Sequence, residues 1–187
     1  MLTKLRRVKQ WQTFARTWWV YDAKWQDPWD SGLLIGRYLT GKHKPIWHPD
    51  TECGDHVVVI NASQVALPNE EWRWRSFYHN TQWKQGQTWT TAWEQHLKDP
   101  TFVLERAIYK YCGKESARYR AFGKLHLLKS DVIPEDIKIK ITGQIRQVRP
   151  VPQKLEDIPA EELAEFPKIF DFDPVVPIES TRVHSQS

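Results

Sequence analysis

Apolar positions along the chain follow two rhythms. Trp18-Trp19-Val20-Tyr21 and Val57-Val58-Val59-Ile60 are short unbroken apolar runs, the pattern of buried strands. Between them Leu33, Leu34, Tyr38 and Leu39 recur at helical spacing, with Asp30 or Ser31 available as N-cap and Gly41 at the stop position. Strand, helix and strand in that order predict a right-handed parallel crossover unit. Ser76-Phe77-Tyr78-His79 reads as a weaker third strand, followed by a polar loop through Gly86. Helical pattern then dominates. It covers Ala92 to Leu97, a helix opened by Asp99-Pro100 with Phe102, Val103, Ala107, Ile108 and Tyr111 on one face, and a further helix from about Ser116 to Lys124. Leu125-His126-Leu127-Leu128 is the expected last strand, and residues 9–17 suit a short leading helix.

These elements describe an α/β layer domain ending near residue 144. Beyond it Pro150, Pro152, Pro159, Pro167, Pro174 and Pro177 interrupt the chain, removing backbone donors and restricting their neighbours. Only a short helix from Ala160 to Phe166 is expected there, within an extension that gains order by lying on a partner. Three segments result: a basic arm at 1–17, the α/β domain at 18–144 and an acidic, proline-rich extension at 145–187.

Charge divides along the same line. Residues 1–144 hold 22 Lys and Arg against 15 Asp and Glu, whereas residues 145–187 hold 5 against 8. A basic body favours a polyanionic partner, and the acidic end a different one. The opening MLTKLRRVKQWQTFAR carries five basic residues and no acidic one. It lacks the apolar core of a secretory signal and suits either a mitochondrial address or a nucleic-acid-binding arm. No run approaches the roughly 18–20 apolar residues of a membrane span. Two cysteines, Cys53 and Cys112, form no disulfide framework and point to a reducing compartment.

The densest chemistry lies in GKHKPIWHPDTECGDHVVVINA, residues 41–62. His43, His48, Cys53 and His56 invite a metal reading, but Pro45 and Pro49 stiffen the chain between them and Cys112 is remote. No nucleotide-binding glycine motif or nucleophile elbow is present. Asp55 and His56 stand at the entry of a strand, whereas open α/β sheets bind small ligands at the carboxyl end; Asp55 is expected to cap its own turn through Gly54. Gly41-Lys42-His43-Lys44-Pro45 fits phosphate better: two permanent cations and a titratable ring on a short loop, next to a helix displaying Arg37.

Trp19-x-x-Asp22-Ala23, then Gly41-Lys42-His43-Lys44-Pro45, then Gly54-Asp55-His56-Val57-Val58-Val59-Ile60-Asn61-Ala62, then Tyr78-His79, together resemble the ribosomal protein family numbered thirteen in the bacterial large subunit. Trp11-x-Thr13-Phe14-Ala15-Arg16-x-Trp18, Ile133-Pro134-Glu135-Asp136-Ile137 and Phe166-Pro167 are more similar to its mitochondrial branch, and the resemblance spans about residues 9–170. It implies a three-layer α/β/α domain around a central mostly parallel sheet of about four strands. It further implies a structural, non-catalytic protein of the mitochondrial large subunit, bound to large-subunit rRNA and neighbouring ribosomal proteins, with no cofactor, metal or small-molecule substrate. The expected rRNA-binding residues are Arg37, Lys42, His43 and Lys44, then His79, Lys84, Lys114, Arg118, Arg120 and Lys124. Two stretches depart from the family. T-G-Y-P-G-G after the histidine is replaced by Asn80-Thr81-Gln82-Trp83-Lys84-Gln85-Gly86, and of G-M-L-P-K-N only the lysine survives, at Lys114. A nucleotide-using α/β enzyme and an RNA- or protein-binding module acting off the ribosome are the rival readings.

Overall fold

Asp27 and Pro28 begin the longest described helix, α1 (Pro28–Thr40). The expected caps were Asp30 or Ser31. Asp27 takes the position instead, its Oδ1 accepting the Trp29 amide at 2.8 Å, because Pro28 at the first helical position has a preset φ and no amide to satisfy. Asp30 lies in the first turn and pairs with Arg149 at 3.1 Å. The chain is described here by a computed structural model over residues 16–49, 51–113, 115–153 and 155–165. The leading helix expected at 9–17 lies almost wholly outside the described residues.

Strands β1 (Trp18–Asp22) and β2 (His56–Ile60) pair in parallel across α1, Trp18 opposite His56 and Asp22 opposite Ile60. Two further short strands complete the sheet: β5 (Leu125–Leu127) beside β2 and β6 (Gly143–Gln144) beside β1, both parallel, giving the order β5-β2-β1-β6. The α/β expectation with a parallel four-stranded sheet therefore holds, but its fourth strand is Gly143–Gln144. Ser76–His79 is a strand elsewhere: β3 (Ser76–Asn80) and β4 (Gln87–Thr91) form a separate antiparallel hairpin. The polar alternation of β4 offers no continuous apolar run to bury between layers.

One face of the central sheet is the core. Tyr21, Val57 and Val59 are fully buried against Ile35 and Leu39 of α1, Leu104 and Ile108 of α4 (Phe102–Tyr111), and Ala121 of α5 (Glu115–Phe122). Each fully buried Val, Leu or Ile among them contributes about 1.5–3 kcal/mol. α1 and α4 approach closely because Gly32 and Gly36 face Ala107 and Tyr111; an added Cβ would lie 3.0 Å from the Ala107 carbonyl carbon and 2.9 Å from the Tyr111 Cβ. On the opposite face Trp18 stacks on His56, centroids 4.1 Å apart, with His126 stacked beyond and the Lys140 ammonium 5.4 Å from the Trp18 ring.

The remaining helices of this body are α2 (Glu71–Trp74), α3 (Ala92–Lys98), which a Thr91–Glu94 capping box begins, and α6 (Glu135–Lys138). The compact unit runs to Val151. Ile145 is in the core, and Gln26 both donates to the Arg149 carbonyl at 2.7 Å and accepts its amide at 3.0 Å. The second unit begins at Pro152 and holds a 3-10 turn at Leu155–Asp157 and α7 (Ala160–Glu165).

Candidate nucleic-acid interface

The basic loop begins where α1 stops. Gly41 adopts φ 78°, its amide donates to the Tyr38 carbonyl at 3.1 Å, and the Lys42 amide reaches Arg37 at 2.9 Å. This left-handed termination is one that glycine adopts without a Cβ penalty; here a Cβ would also meet the Cys53 carbonyl oxygen at 2.7 Å. The chain turns through Lys42–Pro45 and returns along α1, passing it at Gly54, where a Cβ would sit 1.8 Å from the Leu39 carbonyl oxygen. That contact sets Asp55 at the amino ends of β1 and β2.

Asp55 does not cap its own turn. Fully buried, it accepts from the Thr17 amide at 3.0 Å, the Thr17 hydroxyl at 2.9 Å and the Trp19 indole at 3.1 Å. The Lys44 ammonium pairs with its Oδ1, and His43 Nε2 lies 3.0 Å from its Oδ2. Burial opposes ionisation of this carboxyl, but the hydrogen bonds from Lys44, Thr17 and Trp19 outweigh it and hold the group below the ordinary aspartate value. His43 also stacks on Tyr38 at 4.3 Å. One carboxylate thus ties the start of β1, the basic loop and the entry of β2.

This arrangement divides the expected phosphate contacts into two groups. His43 and Lys44 face inward to Asp55. Lys124 is buried, its ammonium 3.1 Å from Glu52 and 3.4 Å from the Gly54 carbonyl. All three carry the basic signal in sequence and have an internal counter-charge or acceptor in the fold. Arg37 and Lys42 are exposed, with Lys42 reaching over the Trp47 ring at 5.9 Å. Arg118 donates to the Gly113 carbonyl at 2.8 Å and lies over Tyr109 at 4.3 Å, and Arg120 is exposed. His79 and Lys84 belong to the separate hairpin, both exposed. Lys114 lies outside the described residues.

Lys42, Arg120 and Lys124 nevertheless meet around one cavity of about 230 Å³, with Trp47, Glu52 and Cys112 also on its wall. Burial pushes the Cys112 thiol up to about 11, against the lowering effect of Arg118 and Lys124. The residues that suggested a metal disperse. His43 turns to Asp55, Cys53 is buried, and His56 joins the stack on the far face of the sheet. Among the described residues no group of three or more His, Cys, Asp or Glu side chains could hold a metal ion. At the carboxyl ends of the strands, Asp22 accepts from the Asn61 side chain at 2.9 Å and the Lys24 amide at 3.0 Å.

Sequence reasoning missed Asp55 as the partner of the basic loop. The available signal was an aspartate eleven residues beyond Lys44, at a strand entry. It also missed Thr17 and Trp19, whose contacts span 38 and 36 residues.

Fold and site together define a parallel α/β protein with a cationic loop braced from within. The chain belongs to the ribosomal protein L13 family, whose model matches residues 16–134. It is 46% identical over 167 residues to the large ribosomal subunit protein uL13m of Drosophila melanogaster, covering 89% of this chain and 94% of that protein. It is 38% identical over 101 residues to the large ribosomal subunit protein uL13 of Coprothermobacter proteolyticus, covering 54% of this chain and 71% of the relative. The uL13 of Geobacillus kaustophilus is 33% identical over 119 residues, covering 64% and 82%.

Proposed function

We infer that this protein is a structural, non-enzymatic constituent of the mitochondrial large ribosomal subunit, where it binds and positions large-subunit rRNA beside neighbouring ribosomal proteins. Family membership and likeness to uL13m support that role. The observation that carries the mechanism is the Asp55 brace. A loop whose own Lys44 and His43 are fixed to a buried carboxylate holds its shape before RNA arrives, so little conformational entropy is lost on binding.

In this reading Arg37 and Lys42 meet phosphate from the end of α1, Arg118 and Arg120 from α5, and His79 and Lys84 from the hairpin. His43, Lys44 and Lys124 position the loop. The acidic segment carrying Glu156, Asp157, Glu161 and Glu162 lies against a basic protein neighbour, since rRNA repels it.

Two measurements test this. The endogenous protein should sediment with the large mitochondrial subunit; a pool remaining entirely at the top of the gradient would instead support a module acting off the ribosome. Replacing Lys42 with Met should weaken rRNA binding and flatten the slope of log K against log salt by roughly 0.7–0.9, the release expected from one phosphate contact. An unchanged slope removes Lys42 from the interface, and tight nucleotide binding with turnover would support the enzyme reading.

A further inference from the structure

The β3–β4 hairpin presents its aromatic residues to solvent in an unusual way. Phe77 anchors one face edge-on to Phe102, centroids 5.2 Å apart. On the other face Tyr78 and Trp89 are directly paired across the strands, centroids 4.8 Å apart, and are 49% and 66% exposed. Trp83 at the tip is 79% exposed. The tip is held by its own hydrogen bonds: Asn80 Oδ1 accepts the Gln82 amide at 2.8 Å, the Thr81 amide reaches Gly86 at 3.1 Å, and the Gly86 amide reaches Trp83 at 2.9 Å. Three aromatic rings exposed on one small hairpin mark a surface with an occupant.

We propose that this hairpin, beyond its phosphate contacts, takes unpaired bases of the ribosomal RNA by stacking them on Tyr78, Trp89 and Trp83. The proposal rests on the RNA-binding reading and adds a mode of contact to it.

Charge and hydrogen-bonding groups favour RNA over protein as occupant. From Ser76 to Trp93 the sequence contains no Asp or Glu, and the exposed Glu94 that follows is tied back to the Thr91 amide at 3.0 Å. Glu71, just before the hairpin, is paired with Arg75 at 2.5 Å. Asn80 and Gln87 share the face of Tyr78 and Trp89 by strand alternation, and carboxamides donate to and accept from base edges. Under the hairpin, on the Phe77 face away from the platform, a groove of about 340 Å³ is lined by His79, Thr88, Gln95 and Arg106. Stacking on aromatic rings suits single-stranded RNA, since every base has a π-face. Stacking neutralises no phosphate, so the contribution of these rings should depend weakly on salt, unlike that of Lys42.

The test measures binding of the full chain to a 12-nucleotide unstructured RNA and to a 16-base-pair RNA duplex over a salt series. Trp89→Ala and Trp83→Ala should each weaken single-strand binding by about 5- to 160-fold, the range for loss of one base–aromatic stack. The salt slope and duplex affinity should stay unchanged, and Trp89→Phe should keep most of the affinity. Unaltered single-strand affinity in both Ala variants, with Lys42→Met still flattening the slope, would overturn the hairpin proposal and leave the general RNA reading standing. A wild-type chain that binds neither RNA would remove both. If Trp89→Ala instead spares RNA but abolishes association with RNA-stripped large-subunit proteins, the occupant is a protein and the proposal fails.

Discussion

Replacing Lys44 with Met tests whether this lysine braces the loop or contacts RNA. The variant keeps most of the side-chain length and leaves the Asp55 carboxylate fully buried without its ammonium. Removing one partner of a buried pair costs about 3–5 kcal/mol. Here the Thr17 and Trp19 bonds to the carboxylate remain, and the Lys44 side chain is 13% exposed, so some of its charge interaction is solvent-screened. Both effects place the cost at the lower end, about 3 kcal/mol, or roughly a 6–12 °C fall in Tm for a chain of this size. Asp55→Asn should cost about as much, because its NH2 group would face donors. The double variant should lose less than the two single losses together, by about 0.5–3 kcal/mol. Urea unfolding followed by circular dichroism measures all three. The penalty also has a pH signature. The Asp55 pKa is lowered in the fold, so its contribution is complete above the unfolded value of about 3.9 and is lost as pH falls through the lower folded value. The difference between wild type and Lys44→Met should shrink in the same acid window. The RNA salt slope of Lys44→Met should match wild type. A stability change within about 0.5 kcal/mol, or a slope flattened as in Lys42→Met, would refute the brace.

His56 and His126 both have lowered pKa values, chiefly from burial; for His56, His126, Lys124 and Arg16 add to the lowering against Asp55, and for His126, Lys140 does. Stability should therefore be complete above about pH 6.5 and decline toward pH 5 as the unfolded chain takes up protons; thermal melts should show a smaller decline in His56→Phe, and an equal decline would exclude the pair. Gly54→Ala should destabilise the fold by several kcal/mol or prevent folding, because its Cβ would lie 1.8 Å from the Leu39 carbonyl oxygen; soluble expression with a wild-type melt would show that the return leg of the loop has room to move. Cys112, buried and raised to about 11, should resist iodoacetamide at pH 8 until urea unfolds the protein, and mass spectrometry of labelling in the native state would contradict that packing.

Legibility in the sequence followed the length scale of the interaction. Val57 to Ile60 announces a buried strand by composition alone, α1 by its period, and Gly41 by the left-handed turn it ends. Three capping residues crowd Asp27-Pro28-Trp29-Asp30-Ser31, and only the proline at the first helical position selects Asp27 among them. Gln87–Thr91 is too polar to read as a strand without Ser76–Asn80 beside it. Gly143–Gln144 has two residues of strand and is placed entirely by pairing with β1. The site was less legible than the fold for a related reason. Lys42 and Lys44 are equivalent in sequence, and what separates them is Asp55, brought near by the turn at Gly54. A basic motif locates a cationic loop, whereas the direction of each side chain depends on contacts the motif does not contain.

The hairpin contributes no strand to the central sheet and meets the body through Phe77 on Phe102 and, at its base, Arg75 over Trp29. Its outer face and tip can therefore change length and chemistry without shifting the register of any core strand. The region where the expected T-G-Y-P-G-G is absent is thus the part of the molecule most open to rewriting. Two proteins with superimposable sheets and the same Asp55 brace could sit identically on shared RNA and still hold different neighbours at this one projection.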